Sequence, residues 1–203
     1  MVRGTNLDKE EIRKKILSTV KEMIVNDGYK NLNARAIAAE VGCAVGSLYN
    51  IFGSLDDMIL SVNSRTLDIL FAELEDSIRA HESAKIAIEQ FATGYVSFAH
   101  ENEHLWSALF EYTYPEDKEM PRWYIKKIDR IFTLAKDIML PIFDSDDEKA
   151  DMVAKVIWAG LHGICSLSIS GKLRRVRAES ADKLADSFIE SYLKGVVKEH
   201  NYW

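Results

Sequence analysis

Two groups of residues in this chain have types and spacings that could do chemistry. The first, His100-Glu101-Asn102-Glu103-His104, matches the H-E-x-x-H pattern, in which two histidines one helical turn apart hold zinc and Glu101 acts as general base. That arrangement needs an unbroken helix and a third ligand. Asn102 falls where one helical pattern ends and the next begins, and no later partner is compelling, so a zinc hydrolase stands as a minor alternative. No nucleophile elbow, phosphate loop or dinucleotide glycine pattern occurs, and Gly42 and Gly46 read as turn and helix features rather than a phosphate cradle. Neither an enzyme nor a cofactor is expected.

The second group is aromatic. Trp158 and His162 stand four apart, and Cys165 and Ile169 extend the same helix face. His162 is thus either a core histidine satisfied by one hydrogen bond or a group lining a ligand pocket. Tyr95, Phe98, Trp106, Phe110, Tyr112, Trp123, Tyr124 and Phe132 could line the same cavity or simply pack. Such a pocket suits an apolar or aromatic compound, because no cluster of Arg and Lys marks a phosphate or carboxylate clamp.

The elements that position these residues are all helical by periodicity, about nine of them, with no convincing strand, repeat or low-complexity segment. Ile12, Ile16, Leu17, Val20, Met23 and Ile24 make the stripe of a helix from Leu7 to Asp27, and Arg13-Lys14-Lys15 reads as its solvated face. A short helix follows from the cap Asn33 to Val41, Gly42 permits a turn, and a third covers Cys43 to Ile51. A long helix from Ser54 to about His81 comes next, then Ala84 to His100, Glu103 to Tyr112 and a loop between Pro115 and Pro121. The last three run from Ile125 to Leu140, Asp147 to about Ser170, and Ser180 to Glu199, the final one carrying Ala181, Leu184, Phe188, Tyr192 and Val196 on one face.

Three helices of which the last two are short could form any small helical hairpin. Individual residues narrow the choice. The run Arg35-Ala36-Ile37-Ala38, Val41-Gly42, Gly46-Ser47-Leu48-Tyr49, Phe52 and Ser54 resembles, without insertion or deletion, the helix-turn-helix signature of the TetR family of transcriptional repressors. The resemblance implies a DNA-binding domain over residues 1–53, in which the segment after the turn projects into a major groove. It assigns Tyr49 to a backbone phosphate, Ser47 to the groove and Arg35 to a second-helix contact, with Asn33, Ala44, Val45, Gly46 and Asn50 completing the interface. Two positions depart from the pattern. Ala44 stands where the family has a capping serine, a loss of about 1 kcal/mol, and Leu55 replaces a lysine that would reach a phosphate. The segment Ala44 to Asn50 holds no Arg or Lys, so base readout would rest on Ser47, Asn50 and contact of Val45 with a thymine methyl.

The same resemblance makes residues 54–203 a helical ligand-binding and dimerisation domain. Trp158-Ala159-Gly160-Leu161-His162-Gly163, with Leu167, resembles the tryptophan-histidine-glycine motif of one C-terminal subclass. The implied pocket residues are Tyr95, Phe98, Trp106, Phe110, Trp123, Trp158, His162 and Cys165, and no metal is implied. The implied partners are a pseudo-palindromic DNA operator, a small-molecule effector, and a second copy held through the last two helices.

Charge agrees with that division. The chain of 203 residues carries a net charge of −6, which by itself speaks against nucleic acid. Residues 1–53, however, hold 8 Lys and Arg against 6 Asp and Glu, while residues 54–203 hold 18 against 26. Cys43 and Cys165 lack the spacing of a disulfide framework. The N-terminus has no signal-like apolar run, and the stretch Val156 to Ile169 reads as too short and interrupted to span a bilayer, so the expected compartment is the cytoplasm, without a membrane. A helical adaptor that binds ligand or protein but no DNA remains the alternative of a different class.

Overall fold

The structure is a computed structural model and describes residues 3–79 and 83–197. Among these residues there are ten α-helices and no strand, in the order α1 (Arg3–Asp27), α2 (Ala34–Val41), α3 (Val45–Phe52), α4 (Leu55–Ile78), α5 (Ala84–Glu101), α6 (Glu103–Phe110), α7 (Arg122–Met139), α8 (Asp147–Ile169), α9 (Lys172–Arg175) and α10 (Ala181–Val197). The short α9 was not expected, because four residues carry no period. Helix α7 begins at Arg122 instead of Ile125, directly after Pro121, whose carbonyl accepts from the Tyr124 N–H at 2.9 Å. The expected ends at His81 and Glu199 lie outside the described residues.

Contacts gather the chain into two units, one built from the chain up to Leu67 together with Asn102–Tyr124, the other from Asp68–Glu101 and the chain from Ile125 onward. Helix α4 runs continuously through both.

In the first unit Ile16, Val20 and Ile24 of α1 are fully buried against Ile37 of α2, Leu48 of α3 and Met58 of α4, with Leu105 and Ala108 of α6 in the same cluster. Ile12 corrects the expected stripe: it is 39% exposed, because the stripe begins one turn before the core does. The charged run behind it is also more than a solvated face. Lys15 donates to the Val41 carbonyl at 2.8 Å, and Arg13 donates to the Ile51 carbonyl at 3.4 Å while lying 4.3 Å over the Phe52 ring. These two cations thus serve the unpaired, negatively polarised last carbonyls of α2 and α3. The side chain of Leu55 packs against the same core, a use that a lysine there would not serve.

The loop after α6 is tied to the start of α4. The Tyr112 hydroxyl donates to the Asp56 carboxylate at 2.5 Å, Lys118 reaches its other oxygen at 3.1 Å, and Tyr112 stands edge-on to Tyr29 at 5.9 Å. The Tyr112 bond, helped by Lys118, holds the Asp56 carboxyl below its ordinary range although partial burial opposes it. Buried Asn63 donates to the Ala108 carbonyl at 2.7 Å, capping the last turn of α6.

In the second unit α5, α8 and α10 pack together around Phe91, Tyr95 and Phe98 of α5 and Ile157, Leu161 and Cys165 of α8. The inward face of α10 differs from the expected one. Ala181, Ala185, Ile189 and Leu193 are buried, whereas Leu184, Phe188, Tyr192 and Val196 form a second, half-exposed stripe. Small residues at two of the inward positions let α10 settle closely, and Gly160 of α8 is covered by the Phe188 ring. Asp146 caps α8 by accepting from the Lys149 N–H at 3.1 Å. The stretch Val156–Ile169 is part of the 23-residue α8, which by length and composition alone is long and apolar enough to cross a membrane. One of its faces is nevertheless packed within the unit, through Ala150, Val153, Ala154, Ile157, Leu161 and Cys165.

A Cβ added at Gly160 would lie 2.3 Å from the Phe188 ring, so Gly160→Ala should destabilise the fold by about 1–3 kcal/mol through overpacking, read as a lowered urea midpoint. Because Asp56 titrates below its ordinary value, its bond to Tyr112 stabilises above the ordinary carboxylate range and is lost as the pH falls through the lowered pKa. Tyr112→Phe should therefore lower the urea midpoint at neutral pH, and the gap from the parent should close as the pH falls through the lowered Asp56 pKa.

Candidate nucleic-acid interface

The turn between α2 and α3 is built from local chemistry. Asn33 caps α2, its side-chain oxygen accepting from the Ala36 N–H at 2.9 Å. At the other end Gly42 adopts φ 78°, ψ 36°, and its N–H and that of Cys43 both bond the Ala38 carbonyl, at 3.0 and 2.9 Å. Only a residue tolerant of positive φ closes a helix this way, which accounts for the glycine.

Ala44 occupies the cap position of α3 with extended backbone, φ −73° and ψ 147°, and provides no side-chain bond. The Ser47 N–H bonds the Ala44 carbonyl at 2.9 Å, and the N–H groups of Val45 and Gly46 face solvent or an anion. Within α3, Leu48 and Phe52 point into the core, and that fixes what the opposite face offers. Tyr49 is 42% exposed, Gly46 and Asn50 are exposed beside it, and Val45 and Ser47 are half-buried at the edge. Asn33, Arg35 and Ala44 are exposed as well. The sequence-nominated residues thus comprise one capping side chain, Asn33, and a set of outward positions on two short helices. Their shared surface can offer hydroxyl, amide and backbone N–H donors to phosphates, with a single guanidinium.

The aromatic candidates separate. Tyr95, Phe98, Trp158, His162 and Cys165 belong to the second unit, and Trp106, Phe110 and Trp123 to the first. In the second unit the Phe132 and Trp158 rings meet edge to face at 5.2 Å, Trp158 lies 5.4 Å from the His162 ring, and His162 Nδ1 is 3.3 Å from the Tyr95 hydroxyl. These four residues form a continuous wall ending in two polar atoms. Phe98 and Cys165 are buried in the same unit, and burial pushes the Cys165 thiol up to about 12, aided by the Asp182 charge. In the first unit Trp106 is fully buried with its ring 5.1 Å from Phe110, while Trp123 is 48% exposed beside Tyr124.

The H-E-x-x-H histidines are not on one helix. Asn102, with φ −127° and ψ 39°, breaks the chain between α5 and α6. His100 bonds the Ser168 hydroxyl at 2.9 Å, and His104 Nδ1 donates to the Val25 carbonyl at 2.7 Å near the end of α1. No group of three or more potential metal ligands occurs among the described residues. Lys172, Arg174, Arg175 and Arg177 form a basic cluster exposed around α9, which lies outside any amphipathic stripe and so carries no signal in the periodicity.

Comparison with known proteins agrees with this geometry. Residues 16–62 match the model of bacterial regulatory proteins of the tetR family, and residues 88–192, more than half of the chain, match a tetracyclin repressor-like C-terminal domain. A helix-turn-helix transcriptional regulator of Mycobacterium tuberculosis is 26% identical over 159 residues, covering 78% of this chain and 71% of the relative. A protein of unknown function from Rhodococcus sp. RHA1 superposes with a TM-score of 0.76 at 20% identity, over 91% of this chain and 94% of the other. RolR, solved with resorcinol bound, superposes with a TM-score of 0.65 at 14% identity, over 92% and 89%.

Because Ala44 already has the backbone conformation of a cap, Ala44→Ser should stabilise the first unit by about 0.5–1 kcal/mol without moving α3. Chemical denaturation measures the gain, and an unchanged or lowered midpoint would show that the α3 N-terminus is satisfied some other way.

Proposed function

This chain belongs to the TetR family of bacterial regulatory proteins and is a DNA-binding transcriptional regulator, and from that premise we propose that it is a homodimeric repressor released from its operator by a small, largely apolar compound. The observation that carries the reading is the division of α3: Leu48 and Phe52 anchor it while Gly46, Tyr49 and Asn50 stand outside. Residues 1–53 act as the reading head and residues 54–203 as the effector and dimer domain, in the cytoplasm. Tyr49 and Arg35 hold phosphates; Asn33, by capping α2, and Ala44 and Gly46, by leaving backbone N–H groups open, support the same grip. Ser47, Asn50 and Val45 touch base edges. With no cation on α3, affinity depends on two heads engaging successive major grooves together.

The effector site is assigned to the aromatic wall of Phe132, Trp158, His162 and Tyr95 in the second unit, where Phe98 and Cys165 are also buried. The run Trp158 to Gly163, with His162, supports a C-terminal domain of the tryptophan-histidine-glycine kind. Resorcinol bound to RolR supports a compound with an apolar body and few polar groups. Its action is mechanical: by preferring one tilt of α4 it changes the separation of the two heads. Dimerisation through α8 and α10 is supported by Met152, Val156 and Leu167, exposed on α8 opposite its packed face, and by the half-exposed Leu184, Phe188 and Tyr192 on α10.

A genomic duplex selection followed by fluorescence anisotropy should recover a pseudo-palindromic site with steep salt dependence. Tyr49→Phe should weaken binding about tenfold, evenly across sequence variants, and Arg35→Ala should also lower the salt slope. If no duplex binds above background at low salt, the chain is an adaptor and not a regulator of DNA.

A further inference from the structure

Helix α8 carries a second apolar stripe. Met152, Val156, Ala159, Gly163 and Leu167 follow steps of three and four, and Met152, Val156 and Leu167 are 67%, 40% and 42% exposed. At its centre are small residues. A Cβ added at Gly163 would meet nothing within 4 Å, so the chain's own packing leaves that notch open, in contrast to Gly160, which Phe188 covers. An exposed apolar stripe with a notch at its middle fits another helix crossing at Ala159 and Gly163.

The charges at the two ends of this stripe are opposite. Asp144, Asp146, Asp147 and Glu148 precede or open α8, and Glu148 is one turn before Met152 on the stripe itself. Lys172, Arg174, Arg175 and Arg177 follow its last turn, all exposed. Asp147 is taken up by Lys136 at 2.6 Å, but among the described residues Glu148 and the four basic side chains have no ion pair. Compensation of the helix dipole accounts for an acid in the first turn and a base near the last. It does not account for four cations in six residues, all of them beyond the end of α8, within a segment that is acidic overall.

We propose that the homodimer is held in register by two symmetric charge clamps, in which the acidic start of α8 in each protomer faces the basic stretch after α8 in its partner. This rests on the dimer reading above and adds direction and register to it. Across a two-fold axis each contact occurs twice. If the two α8 helices cross antiparallel at Ala159–Gly163, the acidic first turn of each α8, with Glu148, lies toward the end of the partner's α8 and the basic stretch that follows it. A parallel pairing would set acids on acids and bases on bases, which this charge distribution opposes. The clamp also discriminates: another helical regulator with the same apolar stripe but a different end charge would meet an uncompensated cluster.

The test uses the full-length chain. Glu148→Arg and, separately, Arg174→Glu with Arg175→Glu should each weaken the homodimer about tenfold or more at low salt, by sedimentation velocity, with less effect at high salt. An equimolar mixture of the two variants restores both clamps at once. Native mass spectrometry should then find heterodimer well above the statistical half. Joining all three substitutions in one chain should recover the homodimer. A statistical mixture, or single-variant dissociation that the joined chain does not repair, overturns the clamp while leaving the dimer intact as a reading. Loss of duplex binding by the Arg174→Glu, Arg175→Glu chain with its dimer mass unchanged would assign the basic stretch to nucleic acid instead and equally overturn it. A parent chain that sediments as a monomer at every concentration removes the dimer reading itself.

Discussion

Helices of eight residues do not persist alone in water, where roughly 12–15 residues are the margin even for good helix formers. Both α2 and α3 are of that length, and everything the first unit can present depends on how they are held. Leu48 and Phe52 bury one side of α3 against α1, Asn33 and Gly42 close the two ends of α2, and Lys15 and Arg13 of α1 take the last carbonyls of α2 and α3. Each anchor removes a rotation. With the inward residues fixed, Gly46, Tyr49 and Asn50 have no other direction than outward. The reading surface is the remainder of a packing solution, and Ala44 is the one point where the usual anchor is missing.

The second unit solves a different problem with α8. That helix packs one arc into the unit, covers Gly160 with Phe188, carries Trp158 and His162 in an aromatic wall, and still presents Met152, Val156 and Leu167 to the outside. One helix thus borders the core, the proposed effector site and the proposed dimer surface. A ligand that shifts α8 slightly acts on all three, because packed helices slide between discrete arrangements and do not deform continuously. Helix α4 is continuous across the division, running from the Tyr112–Asp56–Lys118 tie in the first unit into residues of the second.

Much of this was legible in the sequence. The all-helical class followed from apolar residues recurring at three and four, the caps Asn33 and Gly42 from their residue types, and the helix-turn-helix from a residue pattern with no insertion. The break at Asn102, and with it the failure of the zinc pattern, was also anticipated. The errors share one origin. Periodicity gives Arg13 and Lys15 no role beyond an exposed face, assigns the inward side of α10 to Leu184, Phe188, Tyr192 and Val196, and gives the 172–177 cluster no place, because it weighs a residue only against its own helix. A carbonyl on another helix, a competing small-residue face, or a charge at a distant helix end does not register in a local period.

The sequence by itself determined which residues are helical, where the short helices are capped and turned, and which stripe of α3 is apolar, since these follow from backbone sterics and periodicity within a few residues. Only the tertiary structure decided which of two apolar stripes on α8 and α10 turns inward and what the cations of α1 bind. It also decided that the aromatic candidates divide between two units. Burial is a competition between surfaces far apart in the chain, and its outcome depends on which of them fit together.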